Sequence, residues 1–324
     1  LWARAMDGTG PATLRAEIAT DAAFTAPVVT RTVTTLAEDD FTGRVTVEGL
    51  VPGTRYFYRF CAAACRAEDV GRFVTAPLPG ARVAVRFGFT GDADGRFRPY
   101  PAASSLPARE LDFLLFLGDT IYETRATGSA ATIDLTPRGG VDQAMTGLAD
   151  YHRKYRENVL GVAADGSASR AGQQGIRPLL QAAGTYTLYD NHEVGGRDLQ
   201  AGGAPPVARG SNAEPDFDVN ETGMFNNATP GFRVMEKAFY GYHPMRVTIA
   251  GTPATGMRVV GPTVDAPGDP RMHGTPRNWF AQSWGAHLTY IQTDARTYRD
   301  ARLGLRDGGD DTGPRADNPG RTML

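Results

Sequence analysis

Cysteine is nearly absent from this chain: two residues, Cys61 and Cys65, in 324. A densely disulfide-stapled scaffold and a cysteine-rich zinc fold are thereby excluded, since each needs more sulfur. Histidine is scarce too, with only His152, His192, His243, His273 and His287. Nor is there an excess of charge: 34 Lys and Arg against 36 Asp and Glu leave a net charge of -2. The two signs are mixed along the chain, so no nucleic-acid partner or membrane surface is indicated. No apolar run is long enough to span a bilayer. No signal peptide is visible, but the chain opens on Leu1 rather than Met, and an upstream segment that has been lost or removed is expected.

Glycine and proline, by contrast, are plentiful at 39 and 22 residues, which points to long ordered loops rather than a helical bundle. A chain of 324 residues exceeds one ordinary core, so two domains are expected.

Residues 1–78 read as all-β. Leu14, Ala16 and Ile18 alternate with Arg15 and Glu17, the period of a half-buried strand, and Val45 and Val47 continue the pattern. In GLVPGTRYFYRF (Gly49 to Phe60) a turn leads into a strand. The Tyr56 hydroxyl is placed to bond back to the corner, and Tyr56, Tyr58 and Phe60 share one face. This segment resembles a fibronectin type III β-sandwich whose first strand is missing. Cys61 and Cys65 bracket three alanines in a hairpin small enough to bring the thiols into bonding range, which suits an oxidising compartment. The alternative, a metal site, has only two sulfurs and no adjacent histidine. The Pro-rich stretch 75–81 is the expected linker, and a second domain follows over 82–324.

Three strands of that domain end in polar chemistry. Residues 83–95 finish in Gly91-Asp92, with Asp94 two positions on. Phe113 to Leu117 form a short unbroken apolar run, the mark of a strand buried on both faces. Gly118, Asp119 and Tyr122 follow it. Residues 185–194 alternate through Tyr186, Leu188 and Asp190, then present Asn191, His192 and Glu193. Each residue has a plainer reading: Asp119 as an N-cap, Asp92 or Asp94 as a turn residue, His192 as a structural hydrogen-bonder. Together they deliver three oxygen ligands, Asp92, Asp119 and Asn191, to one sheet edge. Converging carboxylates repel unless cations neutralise them. Hard oxygen donors suit divalent or trivalent metals, and a pair of metals would hold a phosphoryl group in line while His192 protonates the leaving oxygen.

The order GD, GDxxY, NHE is similar to the calcineurin-like metallophosphoesterases. With the upstream β-module, LGDTIYE, the DYHRKY segment, YDNHEV, the YGYHPMR segment ending at Arg246, and TDARTYRD, the chain resembles the PhoD-type alkaline phosphatases. That resemblance implies an α+β protein, with the β-sandwich followed by a partial four-layer αββα metallophosphatase domain. It further implies a secreted enzyme, periplasmic or extracellular, acting on phosphate esters with Fe(III) and Ca(II), or Zn, Mn or Mg in their place. On that analogy Asp119 bridges the metals, Tyr122 ligates the ferric ion as phenolate, and Asn191 holds the second metal. Asp92 stands where the family usually has cysteine, so the metal identity is left open.

The superfamily's late Gly-Asp-x-His motif is missing, and the chain stops at RTML, so a further segment of the same polypeptide is expected to complete the ligands. Residues 195–272, with little periodicity, are expected to form a long loop walling the site. Arg197 and Arg296 are candidates for substrate phosphate, each with a structural arginine as its alternative. Residues 289–295 read as another strand, with Asp294 near its end. Earlier, Val141, Met145, Leu148, Tyr151 or His152, and Tyr155 recur at helical spacing with a core-facing side. Alternatives to the phosphatase reading are a phosphodiesterase or phospholipase-like enzyme on the same scaffold, or a catalytically inactive extracellular binding protein.

Overall fold

The computed structural model describes residues 1–5, 11–98, 100, 104–122, 148–161, 175–194, 230–269 and 272–297. Its first part is antiparallel. Strands β1 (Trp2–Arg4), β2 (Ala12–Ala19), β3 (Val29–Thr35), β4 (Thr42–Arg44), β5 (Arg55–Cys61) and β6 (Gly71–Val74) form two sheets, of order β3-β2-β5-β6 and β1-β4. The alternation in β2 does what it predicts: Leu14, Ala16 and Ile18 are buried while Arg15 faces water. Leu14, Ala16, Val45 and Phe60 make a core on which Leu1 and Ala3 also pack. Glu17 is buried as well, against expectation, because Arg59 and Arg15 clamp its carboxylate at 2.6 and 2.9 Å.

The corner forms with the roles reversed. The Val51 N–H donates to the Tyr56 hydroxyl at 3.0 Å, and Tyr56 and Tyr58 both pack on Phe73. Cys61 and Cys65 are disulfide-bonded, with Cα atoms 4.4 Å apart. Their sulfurs and a Glu17 oxygen lie within 4.8 Å of one another. Sulfurs spent in a disulfide offer no thiolate, so this group is not a metal site.

The second part is built on a parallel sheet of order β7-β8-β9: Phe87–Thr90, Phe113–Phe116 and Gly184–Thr187. The register aligns Thr90 with Phe116 and Phe116 with Thr187, so all three strands end level. Two expected strands are shorter than their apolar patterns. The first begins only at Phe87, where pairing with Phe113 starts. The third stops at Thr187, because residues 191–194 turn into a short helix, α3 (Asn191–Val194). Leu117 lies beyond β8 and is exposed.

Around this sheet lie α1 (Leu148–Tyr155), α2 (Arg177–Ala182) and α4 (Pro230–Tyr242), with hairpins β10–β11 (Thr248–Ala250, Arg258–Val260) and β12–β13 (Phe280–Trp284, Leu288–Gln292). Tyr151 and Tyr155 of α1 are fully buried, as their spacing predicts. Val141 and Met145 fall outside the described residues. The expected long loop is corrected: 195–272 contains α4 and the β10–β11 hairpin. Phe232, Met235, Ala238, Phe239 and Tyr240 are all inaccessible to solvent. The polar residues of α4 are drawn in as well: Glu236 pairs with Arg233 at 2.7 Å and Lys237 with Asp39. The last predicted strand is β13, ending at Gln292 rather than reaching Asp294.

The two parts are tied by polar bonds. Asp40 receives Arg4, Arg156 and Tyr242, Asp39 pairs with Lys237 of α4, and Arg44 donates to the carbonyls of Tyr240 and Val247. Among the described residues no helix is long and apolar enough to cross a membrane.

Candidate functional site

Level strand ends bring the next few residues of each chain segment together. Asp92 and Asp119 both adopt left-handed backbone, at φ 56° and 53°, which turns the chain sharply off the sheet. The two turns bond to each other: Asp92 N–H donates to Gly118 O at 3.3 Å and Ala93 N–H to Asp119 O at 2.8 Å. Gly118 is required here. At φ 95° its Cα faces Asp190 so closely that a Cβ would lie 2.6 Å from the Asp190 Cβ, leaving no room for any side chain.

Tyr122 closes the site. Its hydroxyl donates to Asp92 Oδ1 at 2.8 Å and approaches Asp119 Oδ2 at 3.2 Å, so two carboxylates and a phenol share one spot. The His192 ring lies against the Tyr122 ring with centroids 3.9 Å apart, and the His192 backbone N–H donates to Asp119 Oδ1 at 3.0 Å. Asp92, Asp119, Tyr122 and His192 are therefore brought together. Asn191 opens α3, immediately before His192. Arg197 lies outside the described residues. Arg296 is held by the Asp190 carboxylate, and Asp294 is occupied by Tyr189 and Thr297.

Three supports escaped the sequence reading. Glu193 is fully buried and accepts from the N–H groups of Asp119 and Asp190, both at 2.9 Å, and from the N–H and hydroxyl of Thr120. It laces β8 to β9, and this wrapping ends the third strand early. Tyr151 donates to the Glu193 carbonyl at 2.8 Å. Asn158, in a π-helical turn after α1, donates to the carbonyls of Ala93 and Thr120. Glu193 stood in view beside His192. Nothing in the sequence marks Asn158.

The electrostatics are unfavourable to charge. Burial pushes the Asp119 carboxyl up; the His192 ring and backbone N–H pull it back, while Asp190 and Asp92 push it up further. Burial, then Asp119 and Asp92, drives the Tyr122 phenol far above its ordinary value, so it stays protonated and donates. Burial and the Asp119 charge raise Glu193 to about 7, against the bonds from Thr120 and Asp190. Crowded acidic oxygens of this kind are what a hard cation neutralises. The donor set of Asp92, Asp119 and Tyr122 therefore fits a metal, and a phenolate at Tyr122 requires one.

The fold and the site define an α+β protein with oxygen donors gathered at the carboxyl edge of a parallel sheet. The description "PhoD-like phosphatase" matches residues 88–324, and "PhoD-like phosphatase, N-terminal domain" matches residues 1–77. The chain belongs to the PhoD-like phosphatase family. A solved structure described as "Structure of PhoD" is similar over 100% of this chain and 54% of its own, with a TM-score of 0.65 and 20% identity. The chain thus spans about half the length of that relative. No curated protein sequence matches it.

Proposed function

We propose that this chain is part of a secreted, metal-dependent phosphate ester hydrolase. The observation that carries the reading is the convergence of Asp92, Asp119 and the Tyr122 hydroxyl within hydrogen-bond distance, stacked on His192. Family membership supports a phosphoesterase, and the Cys61–Cys65 disulfide suits an oxidising compartment. The protein divides at about residues 78–82, between a fibronectin-like β-sandwich and a metallophosphatase domain.

Asp92, Asp119, Tyr122 and Asn191 would hold the metals, with Asp119 shared between two. Iron and calcium are what the family resemblance implies, with zinc, manganese or magnesium as alternatives. When bound, such ions supply Lewis-acid stabilisation to a phosphoryl group. This chain's own part is to position and to move a proton. The His192 backbone N–H fixes one Asp119 oxygen, which leaves the carboxylate in one orientation. The His192 imidazole, set against the Tyr122 ring, hands a proton to the leaving oxygen. Arg197 and Arg296 bind substrate phosphate; Arg296 would do so by exchanging its Asp190 partner. Further ligands come from a C-terminal segment of the same polypeptide.

The test uses full-length polypeptide stripped by a chelator and assayed on p-nitrophenyl phosphate and bis-p-nitrophenyl phosphate. Activity should vanish on stripping and return with added metal, and the ratio of the two rates separates monoesterase from diesterase. Full activity in metal-free protein would overturn the reading.

A further inference from the structure

The loops that carry Asp92 and Asp119 are costly to hold side by side. Both aspartates sit in left-handed backbone that residues with side chains seldom adopt, and their carboxylates repel. Such an arrangement persists only where the surroundings over-determine it. Two backbone bonds join the loops directly. A third connection comes from neither loop.

Asn158 is 1% exposed, and its amide nitrogen donates to Ala93 O at 2.6 Å and to Thr120 O at 3.0 Å. Ala93 follows Asp92 in the chain and Thr120 follows Asp119, so one side chain grips the residue after each aspartate. An asparagine amide has two N–H donors, and both are used. The opposite end, Oδ1, accepts no hydrogen bond among the described residues. The amide orientation is thereby set by the two carbonyls, since a flipped group would point oxygen at both. Ala93 O also accepts from the Tyr100 hydroxyl at 3.1 Å.

The turn that presents Asn158 is itself anchored. It is π-helical, Arg156–Leu160, a form that inserts a residue into the helix and re-aims side chains, often at functional sites. Arg98 donates to the Glu157 carbonyl and carboxylate, both at 3.0 Å, and Ile176 N–H donates to the Asn158 carbonyl at 2.9 Å.

We propose that Asn158 is a positioning residue that sets the separation of the Asp92 and Asp119 loops, and through it the affinity of the site for metal. The proposal rests on the metal-dependent hydrolase reading for its consequence, but not for the clasp itself. Asn158 touches no substrate, so it acts on metal retention and on kcat rather than on KM.

The experiment compares full-length wild type with Asn158→Leu, of similar size without donors, and Asn158→Asp, of the same shape but an acceptor when ionised. Val159→Ala serves as the control, taking apolar packing from the same turn but no hydrogen bond. Chelator competition should show metal affinity falling about 10–100-fold in both Asn158 variants, the usual effect of losing a residue that orients metal ligands. The Val159→Ala protein should keep wild-type affinity, and KM should stay constant throughout. Equal affinity in wild type and the Asn158 variants, or an equal loss in Val159→Ala, would overturn the proposal.

A second readout needs neither metal nor a variant that folds. In metal-free wild type the Asn158 side-chain amide should exchange its hydrogens at least about 100-fold more slowly than an exposed asparagine. Exchange at the exposed rate would also overturn the proposal. If the amide is protected and the wild type retains no metal, the hydrolase reading fails while the clasp stands.

Discussion

The acids of the antiparallel part and those at the ends of the parallel strands keep opposite company. In the antiparallel part each buried acid lies against cations: Glu17 between Arg59 and Arg15, Asp40 between Arg4 and Arg156, with the Tyr242 hydroxyl also donating to it. At the ends of the parallel strands, acids meet acids and a phenol. Exposed Asp92 and buried Asp119 share the Tyr122 hydroxyl, and Asp119 is pushed toward neutrality by burial. The first arrangement is a structural solution, because each charge carries its own partner. The second leaves charge to be neutralised from outside, which is why the cation is proposed to bind there.

That contrast can be broken by substitution. The largest expected effect is at His192, assigned to proton transfer and not to metal. His192→Ala in the full-length protein should retain its metal and lose roughly 10²–10⁴-fold in kcat, the usual size of a general-acid contribution. Metal analysis and kinetics on one preparation check both halves of that statement. Matched loss of metal and rate would instead place the ring among the ligands.

Next comes acid stability. Burial depresses His243 to about 3, and burial, opposed chiefly by Asp40, depresses His152 to about 4. Both are neutral when folded and take up protons when unfolded below about 6.5. The unfolded state then binds more protons, so stability falls as pH drops below that value. His243 alone contributes on the order of 2 kcal/mol of loss between pH 7 and pH 5. Denaturant titrations at the two pH values should show this, and His243→Phe should flatten the dependence.

Gly118→Ala should cost about 1–3 kcal/mol from left-handed backbone alone, and more because the new Cβ meets Asp190. Calorimetry checks the stability. Metal retention should fall with it, because Gly118 lies in the turn that aims Asp119. Reducing Cys61–Cys65, in the other half, should lower stability by about 2 kcal/mol on loop-closure grounds and leave the rate on p-nitrophenyl phosphate unchanged. A rate that falls with reduction would dissolve the distinction between the halves.

Much of this was legible in the chain. The alternation in β2, the Tyr56 corner, the disulfide and the three strand ends carrying Asp92, Asp119 and Asn191 each have a local signature. What failed to show was nonlocal. The helix Pro230–Tyr242 spaces Arg233, Glu236 and Lys237 along one side, but its 13 residues sit in a stretch rich in glycine, proline and asparagine, and the Asp39 that pairs with Lys237 is remote in sequence. The third strand was read too long because Asp190 continues its alternation. Only the fold reveals that Glu193 folds back to accept the N–H groups of Asp119 and Asp190. Asn158 is a buried amide with no motif, and its role depends on two loops far away in sequence. Arg296 carried both a phosphate-binding and a structural reading, and the partner that the structure supplies, Asp190, is remote in sequence.

The most direct test sets one buried acid from each half against the other. Metal content after dialysis would be measured on full-length wild type, Asp119→Asn and Glu17→Gln. If cation binding resides at the strand ends, wild type and Glu17→Gln retain the same stoichiometric metal and Asp119→Asn retains none. Undiminished metal in Asp119→Asn, or its loss from Glu17→Gln, would contradict the account.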